Sequence, residues 1–198
     1  MVPTHLLYLH GFRSSPRSVK AREVAAWLQA HRPDLVFSCP QLPPSPREAI
    51  DLALSLLADW PQDRTAIVGS SLGGFYATVL AERLGCPAVL FNPAVNPARD
   101  LARHIGEQTA WHHPEDRFYF REEFIGELQA MTPRRLSRPE RYYPVIATGD
   151  EVLDWREMRA RYQGAPWLLI EGGDHALSDF ELPQAYMVRS LGLDGPVF

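Results

Sequence analysis

The stretch TAIVGSSLGGFYATVLAERLG, residues 65–85, decides the fold of this 198-residue chain. It opens with the apolar run TAIVG, which is typical of a buried strand, and from Ser71 onwards it predicts a helix that ends at Gly85. A strand that passes directly into a helix is a basic unit of layered α/β folds. The turn between them therefore lies at the carboxyl end of a strand, where such folds carry their functional sites.

Two adjacent serines occupy this turn, and the glycines around them distinguish one from the other. The sequence there is Gly69-Ser70-Ser71-Leu72-Gly73, a G-x-S-x-G pattern. A nucleophile at a sharp strand-to-helix turn has a strained backbone, and the residues two before and two after it crowd together, so both must be very small. Centred on Ser71 those neighbours are glycines, whereas centred on Ser70 they would be a valine and a leucine. The pattern therefore makes Ser71 the candidate nucleophile.

The rest of the chain alternates short apolar runs with longer amphipathic ones. Further strands are predicted at 5–11, 34–40, 87–93, 142–149 and 165–173, and further helices at 15–31, 45–60 and 178–191. Ser15 is the expected N-cap of the first helix. Strands this apolar have no solvated face, which implies a parallel sheet covered by helices on both sides. We expect one doubly wound α/β domain over residues 1–198, with a mostly parallel sheet of about six strands. Residues 97–141 interrupt the alternation as a small helical insertion.

Net charge, the length of apolar runs and cysteine spacing argue against several classes of protein. The formal net charge of −4 gives no electrostatic case for binding nucleic acid or an acidic membrane surface. No apolar run approaches the length of a transmembrane helix, and the N-terminal segment has neither a basic leader nor a small-residue cleavage site. Cys39 and Cys86 lack metal-ligand spacing and are expected to be reduced core thiols. These features predict a cytoplasmic protein without a metal site.

A serine nucleophile needs a base, and the base needs an acid that orients it. In strand–turn–helix sites of this kind the acid and then the base follow later strands. The last predicted strand runs into a flexible turn with His175, the candidate base, and the strand before it runs into Asp150, the candidate acid. Asp154 is an alternative acid, although helix N-capping explains it more simply. Glu151 and Asp174 are interpreted as surface carboxylates.

Two backbone N–H groups are candidates for binding the negative oxygen that forms when a serine attacks a carbonyl. The first strand ends at His10-Gly11-Phe12, where the N–H of Phe12 is one donor and Gly11 allows close approach. The N–H of Leu72 is the second, because it lies at the start of the nucleophile's helix, where the helix dipole favours negative charge. His10 is interpreted as a hydrogen-bonding anchor of the loop rather than as a catalytic group.

With these residues placed, the chain resembles the small α/β-hydrolases of the YqiA-type esterase family. The marker segments are LYLHGFRSSPRSVKA, GSSLGGFYA, LFNPAVNP, TGDEVLDW and EGGDHALSDF, in the right order from end to end. The resemblance implies an α/β-hydrolase fold and activity on simple acyl esters, and on acyl-CoA thioesters, without a cofactor. It maps nucleophile, acid and base onto Ser71, Asp150 and His175. It is weakest over 100–141, the region in which substrate choice is expected to differ.

In α/β-hydrolases the position of residues 97–141 is often that of a lid. Its apolar side chains are candidates for a wall over an acyl chain: Trp111, Phe118, Tyr119, Phe120, Phe124 and Met131. Among them Trp111, Phe120 and Phe124 are the predicted substrate contacts; the alternative is that the aromatics only pack the insertion onto the sheet. Four arginines follow: Arg134, Arg135, Arg138 and Arg141. They are candidates for attracting an anionic head such as the phosphates of CoA; the alternative is that they form a solvated basic loop.

The sequence therefore predicts a serine hydrolase that transfers an acyl group from a small-molecule ester or thioester to Ser71 and then to water. A thioesterase or an amidase would use the same three side chains. A catalytically silent hydrolase fold that serves as a binding or scaffold protein is the alternative from another class. Residues 97–141 contain no unbroken apolar run long enough for a deep acyl tunnel, so short to medium acyl chains are the expected substrates.

Overall fold

The computed structural model describes residues 2–111 and 115–195. Positions 112–114 of the expected insertion, and positions 1 and 196–198 of the expected domain, lie outside the described residues. The elements are, in chain order, β1 (His5–Leu9), α1 (Val19–His31), β2 (Val36–Ser38), α2 (Pro46–Leu57), β3 (Thr65–Ser70), α3 (Leu72–Leu84), β4 (Ala88–Phe91), α4 (Pro97–Leu101), β5 (Gly106–Thr109), β6 (Arg117–Phe120), α5 (Glu123–Met131), β7 (Tyr142–Ala147), α6 (Trp155–Arg161), β8 (Leu168–Ile170) and α7 (Glu181–Ser190).

Six strands form a sheet in the order β2-β1-β3-β4-β7-β8, and every neighbouring pair in it is parallel. Successive side chains of a strand point to opposite faces of the sheet. Along β1, Leu7 and Leu9 accordingly join the core beneath α2 and α3, whereas Leu6 and Tyr8 join the core beneath α1 and α7. Both faces of the sheet are thus covered. The predicted doubly wound parallel sheet is confirmed.

The insertion contains a feature that the helical pattern did not predict. Between α4 and α5, β5 and β6 pair as an antiparallel hairpin that is separate from the main sheet. Its signal in the sequence is the alternation within RFYF, because Tyr119 is 60% exposed and Phe120 beside it is 1% exposed. A period of two residues is that of a strand with one buried face.

The helices begin close to the predicted positions, with one exception. The predicted start of the first helix at Ser15 is wrong, because α1 begins at Val19. The hydroxyl of Ser15 instead accepts a hydrogen bond from the N–H of Arg17 at 3.2 Å, so it stabilises a turn. Helix α2 has the predicted N-cap, Ser45. No helix within the described ranges combines the length and the apolar character that a membrane crossing needs.

The two cysteines are free thiols, and they lie at different depths. Cys86 is buried and Cys39 is partly buried. Burial raises the pKa of the Cys39 thiol to about 12 and that of Cys86 to about 11. Because the thiolate is the reactive form, neither thiol is activated as a nucleophile.

Candidate active site

The turn between β3 and α3 has a backbone geometry that few residues tolerate. Ser71, its central residue, has φ 55° and ψ −119°, which is strained for a residue with a side chain. A Cβ atom at Gly69 would lie 2.2 Å from the carbonyl oxygen of Gly73, and one at Gly73 would lie 2.0 Å from that of Leu9. Neither position has room for a side chain. The N–H of Ser71 donates to the carbonyl of Phe91 at 2.9 Å, which ties the turn to β4.

The structure brings together the three side chains that the sequence analysis selected. The imidazole Nε2 of His175 lies 3.0 Å from the hydroxyl oxygen of Ser71, and its Nδ1 lies 2.7 Å from Oδ2 of Asp150. A neutral imidazole with its proton on Nδ1 satisfies both bonds, since Nδ1–H donates to the carboxylate and Nε2 accepts from the hydroxyl. The side chain of Asp150 is fully buried, and that of His175 is 20% exposed.

The carboxylate of Asp150 is itself held in place. Its Oδ1 accepts hydrogen bonds from the N–H groups of Val152 and Leu153, both at 2.8 Å. Asp154, the alternative acid, has a different position: it is the N-cap of α6, and its Oδ1 accepts from the N–H of Arg156 at 2.9 Å. The carboxylate that contacts the imidazole is therefore that of Asp150.

The two predicted oxyanion donors belong to segments next to Ser71. A Cβ atom at Gly11, the residue before Phe12, would lie 3.3 Å from the Cβ of Ser71, so the loop after β1 passes directly over the turn. Leu72 is the first residue of α3, where a backbone N–H has no intrahelical acceptor. Within the described residues, the N–H groups of Phe12 and Leu72 donate to no protein oxygen. Both are therefore available to a ligand.

His10 anchors this loop, as the sequence analysis expected. Its Nδ1 donates to the carbonyl of Gly11 at 3.0 Å, and its Nε2 accepts from the N–H of Leu42 at 3.0 Å. Burial lowers the pKa of His10, because the charged imidazolium is poorly solvated there. A neutral His10 thus links the loop after β1 to the segment that precedes α2.

The loop that carries His175 is held by two residues that the sequence analysis did not assign to the site. The amide nitrogen of Asn92 donates to the carbonyls of Asp174 and His175 at 3.1 and 3.2 Å. The amide oxygen of Asn92 accepts from the N–H of Ala147 at 2.9 Å. Glu151, an exposed carboxylate, accepts from the N–H of His175 at 2.9 Å. In the sequence, the signal for Asn92 is its position directly after the apolar run of β4, at the carboxyl edge of the sheet.

A cavity of about 550 Å³ opens in front of Ser71. Its wall includes Phe12 and Leu72 and, from the insertion, Trp111. The side chain of Trp111 is 63% exposed, and the guanidinium carbon of Arg13 lies 4.0 Å from the centroid of its ring. The loop after β1 also lines a second cavity, of about 770 Å³, which shares Phe12 and Leu72 with the first. Cavities of this size are typical of small-molecule sites.

Phe120 and Phe124, the other predicted substrate contacts, lie in the hydrophobic core, where they are 1% and 8% exposed. Phe120 packs edge-on against Phe12, with 5.2 Å between ring centroids, and Phe124 packs behind Phe120 at 5.5 Å. Neither of them is among the described residues that line the cavity in front of Ser71. Of the three predicted contacts, Trp111 is the one on the cavity wall.

The basic segment 134–141 lies at the opposite edge of the sheet from Ser71, because it leads into the amino end of β7. Arg138 forms an ion pair with Glu140 at 3.0 Å, and Arg141 donates to the carbonyl of Ala81 at 3.1 Å. These arginines therefore bring no positive charge to the cavity in front of Ser71. The interpretation that fits this geometry is a solvated basic loop.

Several solved structures are similar to this chain over almost all of its length. Mouse alpha/beta hydrolase domain-containing protein 10 is 17% identical with a TM-score of 0.73, and the match covers 98% of this chain and 92% of that one. Est1E from Butyrivibrio proteoclasticus with bound ferulic acid is 14% identical with a TM-score of 0.71, and 96% and 90% are covered. A monoacylglycerol lipase from Paleococcus ferrophilus is 15% identical with a TM-score of 0.66, and 96% and 95% are covered. These likenesses show the α/β-hydrolase fold.

The sequence itself matches one family along most of its length. The model of the uncharacterised protein family UPF0227 covers residues 5–189, which includes every marker segment quoted above. This is the YqiA-type family that those segments indicated. The chain belongs to it.

Proposed function

We propose that this protein is a serine esterase that cleaves simple acyl esters through an acyl-Ser71 intermediate. The observation that carries the proposal is the unbroken series of hydrogen bonds from the hydroxyl of Ser71 through His175 to the buried carboxylate of Asp150. Such a series is what a nucleophilic serine requires, because the hydroxyl is weak until a base takes its proton. Ser71 and His175 line an open cavity, which gives a substrate access to the hydroxyl.

The first half of the reaction forms the acyl-enzyme. The oxygen of Ser71 attacks the acyl carbonyl carbon while its proton passes to Nε2 of His175. The carboxylate of Asp150 stabilises the imidazolium that results. The former carbonyl oxygen becomes negative and accepts hydrogen bonds from the N–H groups of Phe12 and Leu72. The imidazolium then gives its proton to the departing alkoxide, so an alcohol leaves and the acyl group stays on Ser71.

The second half regenerates the enzyme. Water loses a proton to Nε2 of His175 and attacks the acyl-Ser71 carbonyl carbon, and the same two N–H groups bind the negative oxygen. The bond from the carbonyl carbon to Ser71 breaks, and the proton on His175 returns to the serine oxygen. The products are a carboxylic acid and the alcohol that left first. Every step uses groups of the protein and water, so none of them involves a cofactor.

The substrate is a small molecule with a short to medium acyl chain. A cavity of about 550 Å³ with Trp111 on its wall accommodates such a group, and the adjoining cavity shares the residues that carry the oxyanion donors. The arginines at 134–141 lie at the edge of the sheet away from Ser71, but Arg13, Lys20 and Arg103 line its cavity, so an acyl-CoA thioester also fits this proposal. The chain acts as one catalytic domain, since Phe120 of the insertion joins the same core as Leu9 of the sheet.

Labelling with a fluorophosphonate probe tests the nucleophile. We expect one probe per chain on Ser71, found by peptide mass spectrometry, and loss of both labelling and hydrolysis of p-nitrophenyl acetate in Ser71→Ala. Ser70→Ala is the matched control, one residue away, and should retain most of both. A folded parent protein that neither reacts with the probe nor hydrolyses the ester would instead indicate a silent scaffold. Equal losses in the two folded variants would refute the assignment of Ser71.

A further inference from the structure

Lys20 is the only lysine in a chain with 20 basic residues, the others being arginines. It is the second residue of α1, and its side chain lines the cavity in front of Ser71. Its Nζ donates a hydrogen bond to the carbonyl of Ala176, the residue after His175. The side chain therefore connects α1 to the loop that carries the candidate base.

The ammonium group of Lys20 lies among the charges of the site. The carboxylates of Asp174 and Asp150 attract it, while burial disfavours its charged form. Burial is the larger effect and lowers the pKa of Lys20 to about 8. Other ionisable groups on the same cavity wall are Arg13, Asp100, Arg103, His104, Glu151 and His175. Tyr8 also lines the cavity, and burial raises the pKa of its hydroxyl, so it stays neutral.

The hydrogen bond from Lys20 differs in charge from the hydrogen bonds of Asn92 and Glu151, which hold the same loop. Asn92 is a neutral amide, and Glu151 brings a negative charge. Lys20 brings a positive charge, and the carboxylates of Asp174 and Asp150 both attract it. Its ammonium group makes a charge-assisted hydrogen bond to the carbonyl of Ala176, which is stronger than a bond between neutral groups.

We propose that Lys20 is a positioning residue for His175, which fixes the base loop against α1 through the hydrogen bond from its ammonium group to the carbonyl of Ala176. The inference rests on the proposed function, because the role assigned to Lys20 acts through the base of that reaction. A lysine suits the role better than an arginine, since an ammonium is a compact point charge and a guanidinium is a wide planar fork. The one lysine of an arginine-rich chain stands at the position where that difference matters.

Two substitutions separate the effect of the Lys20 hydrogen bond from the effect of its positive charge. Lys20→Met keeps the length of the side chain but removes both, and Lys20→Arg keeps the charge in a different shape. With p-nitrophenyl acetate we expect kcat to fall by up to about 100-fold in Lys20→Met, because a small displacement of the base is costly, with little change in KM. In Lys20→Arg, which keeps a charged donor, kcat should fall by less. Arg22→Met, on the exposed side of α1, is the control for net charge and should match the parent.

A measurement that does not depend on activity uses the single lysine. In protein labelled with ¹³C at the lysine ε-carbon, one resonance is expected, with a titration midpoint near 8 instead of the ordinary 10.5. The parent enzyme should lose kcat as the pH rises through that midpoint, because a neutral amine donates a weaker hydrogen bond to the carbonyl of Ala176 than an ammonium does. Thermal unfolding shows whether each variant folds, and if Lys20→Met does not, the resonance and the pH profile of the parent carry the test.

The outcomes separate the two proposals. A parent enzyme that is labelled at Ser71, together with a Lys20→Met variant whose kcat and pH profile match the parent, would overturn the role of Lys20 alone. A parent enzyme whose kcat stays constant while the lysine resonance titrates would do the same, because the base loop would then not depend on the ammonium group. A parent that neither reacts with the probe nor hydrolyses esters would overturn the proposed function and with it this inference.

Discussion

The turn at residues 69–74 and the hairpin of β5 and β6 both border the cavity, yet they are held in different ways. The turn is determined by backbone contacts: Gly69 against Gly73, and Gly73 against Leu9, with no room for a methyl group. The hairpin is attached by side chains of the loop after β1 and by one backbone hydrogen bond, from the N–H of Trp111 to the carbonyl of Arg13 at 2.8 Å. Arg13 donates to the carbonyl of Thr109 at 2.6 Å, and Phe12 packs against Phe118 with ring centroids 5.8 Å apart.

This difference indicates that the turn and the hairpin have separate roles. Backbone packing leaves the turn one conformation, which is what a nucleophile needs if its oxygen must stay within hydrogen-bonding distance of a base. Side-chain contacts allow a hairpin to differ in sequence without disturbing the sheet. We therefore expect changes at the turn and its partners to affect catalysis or folding, and changes on the cavity side of the hairpin to affect substrate choice.

The largest effect is expected at the acid. In Asp150→Asn the amide can donate to Nδ1 of His175, which stabilises the wrong tautomer, and kcat should fall by a factor on the order of 10⁴. Asp154→Asn is the matched control, because asparagine caps a helix about as well as aspartate does. It should retain parent-like activity and stability, measured by ester hydrolysis and urea unfolding. A large loss in Asp154→Asn with little change in Asp150→Asn would transfer the role of acid to Asp154.

The next largest effect tests whether the inner face of the hairpin is part of the hydrophobic core. Phe120 belongs to the hairpin, but its ring is buried against Phe12, so Phe120→Ala should lower the free energy of unfolding by about 3–5 kcal/mol. Tyr119→Ala, one residue away on the exposed face, should change it by less than about 0.5 kcal/mol. Urea denaturation measures both. If the two variants were equally stable, the inner face of the hairpin would not be part of the core.

A smaller loss of stability is expected at the turn itself. A methyl group at Gly73 would lie 2.0 Å from the carbonyl oxygen of Leu9, so Gly73→Ala should destabilise the fold by about 1–3 kcal/mol and reduce kcat as Ser71 shifts. Gly126→Ala is the control, because Gly126 lies in α5 with no atom within 4 Å of an added Cβ. It should stabilise the helix by about 0.5–1 kcal/mol. A stable, fully active Gly73→Ala would mean that the turn is less constrained than its geometry indicates.

The smallest effect is expected on the cavity side of the hairpin. Trp111→Ala removes an exposed side chain from the cavity wall. For p-nitrophenyl butyrate and hexanoate, the activation free energy derived from kcat/KM should rise by about 0.8 kcal/mol for each methylene that the ring covers, and kcat/KM for the acetate should stay unchanged. Across a series of p-nitrophenyl esters the parent should prefer short to medium chains. Activity that kept rising to the palmitate, or a Trp111→Ala variant with parent-like selectivity, would show that the insertion does not contact the acyl chain.

Local sequence patterns led to predictions where a feature depends on one strand or one turn. The parallel sheet followed from apolar runs separated by amphipathic ones. The choice of Ser71 over Ser70 followed from Gly69 and Gly73, because the crowding in that turn involves residues close in sequence. Asp150 and His175 followed from their order after later strands, since the carboxyl ends of parallel strands meet at one edge of the sheet.

What only the tertiary structure decided involves partners that are distant in sequence. Phe120 is buried against Phe12, and Phe124 is buried against Phe120, whereas Trp111 is exposed on the cavity wall. Their sequence context does not distinguish them. No local pattern links Asn92 or Lys20 to a loop more than 80 residues away. Periodicity reports which face of an element is apolar, because burial repeats with the geometry of the helix or strand. It does not report which polar group a given side chain will meet, because that depends on how separate elements pack together.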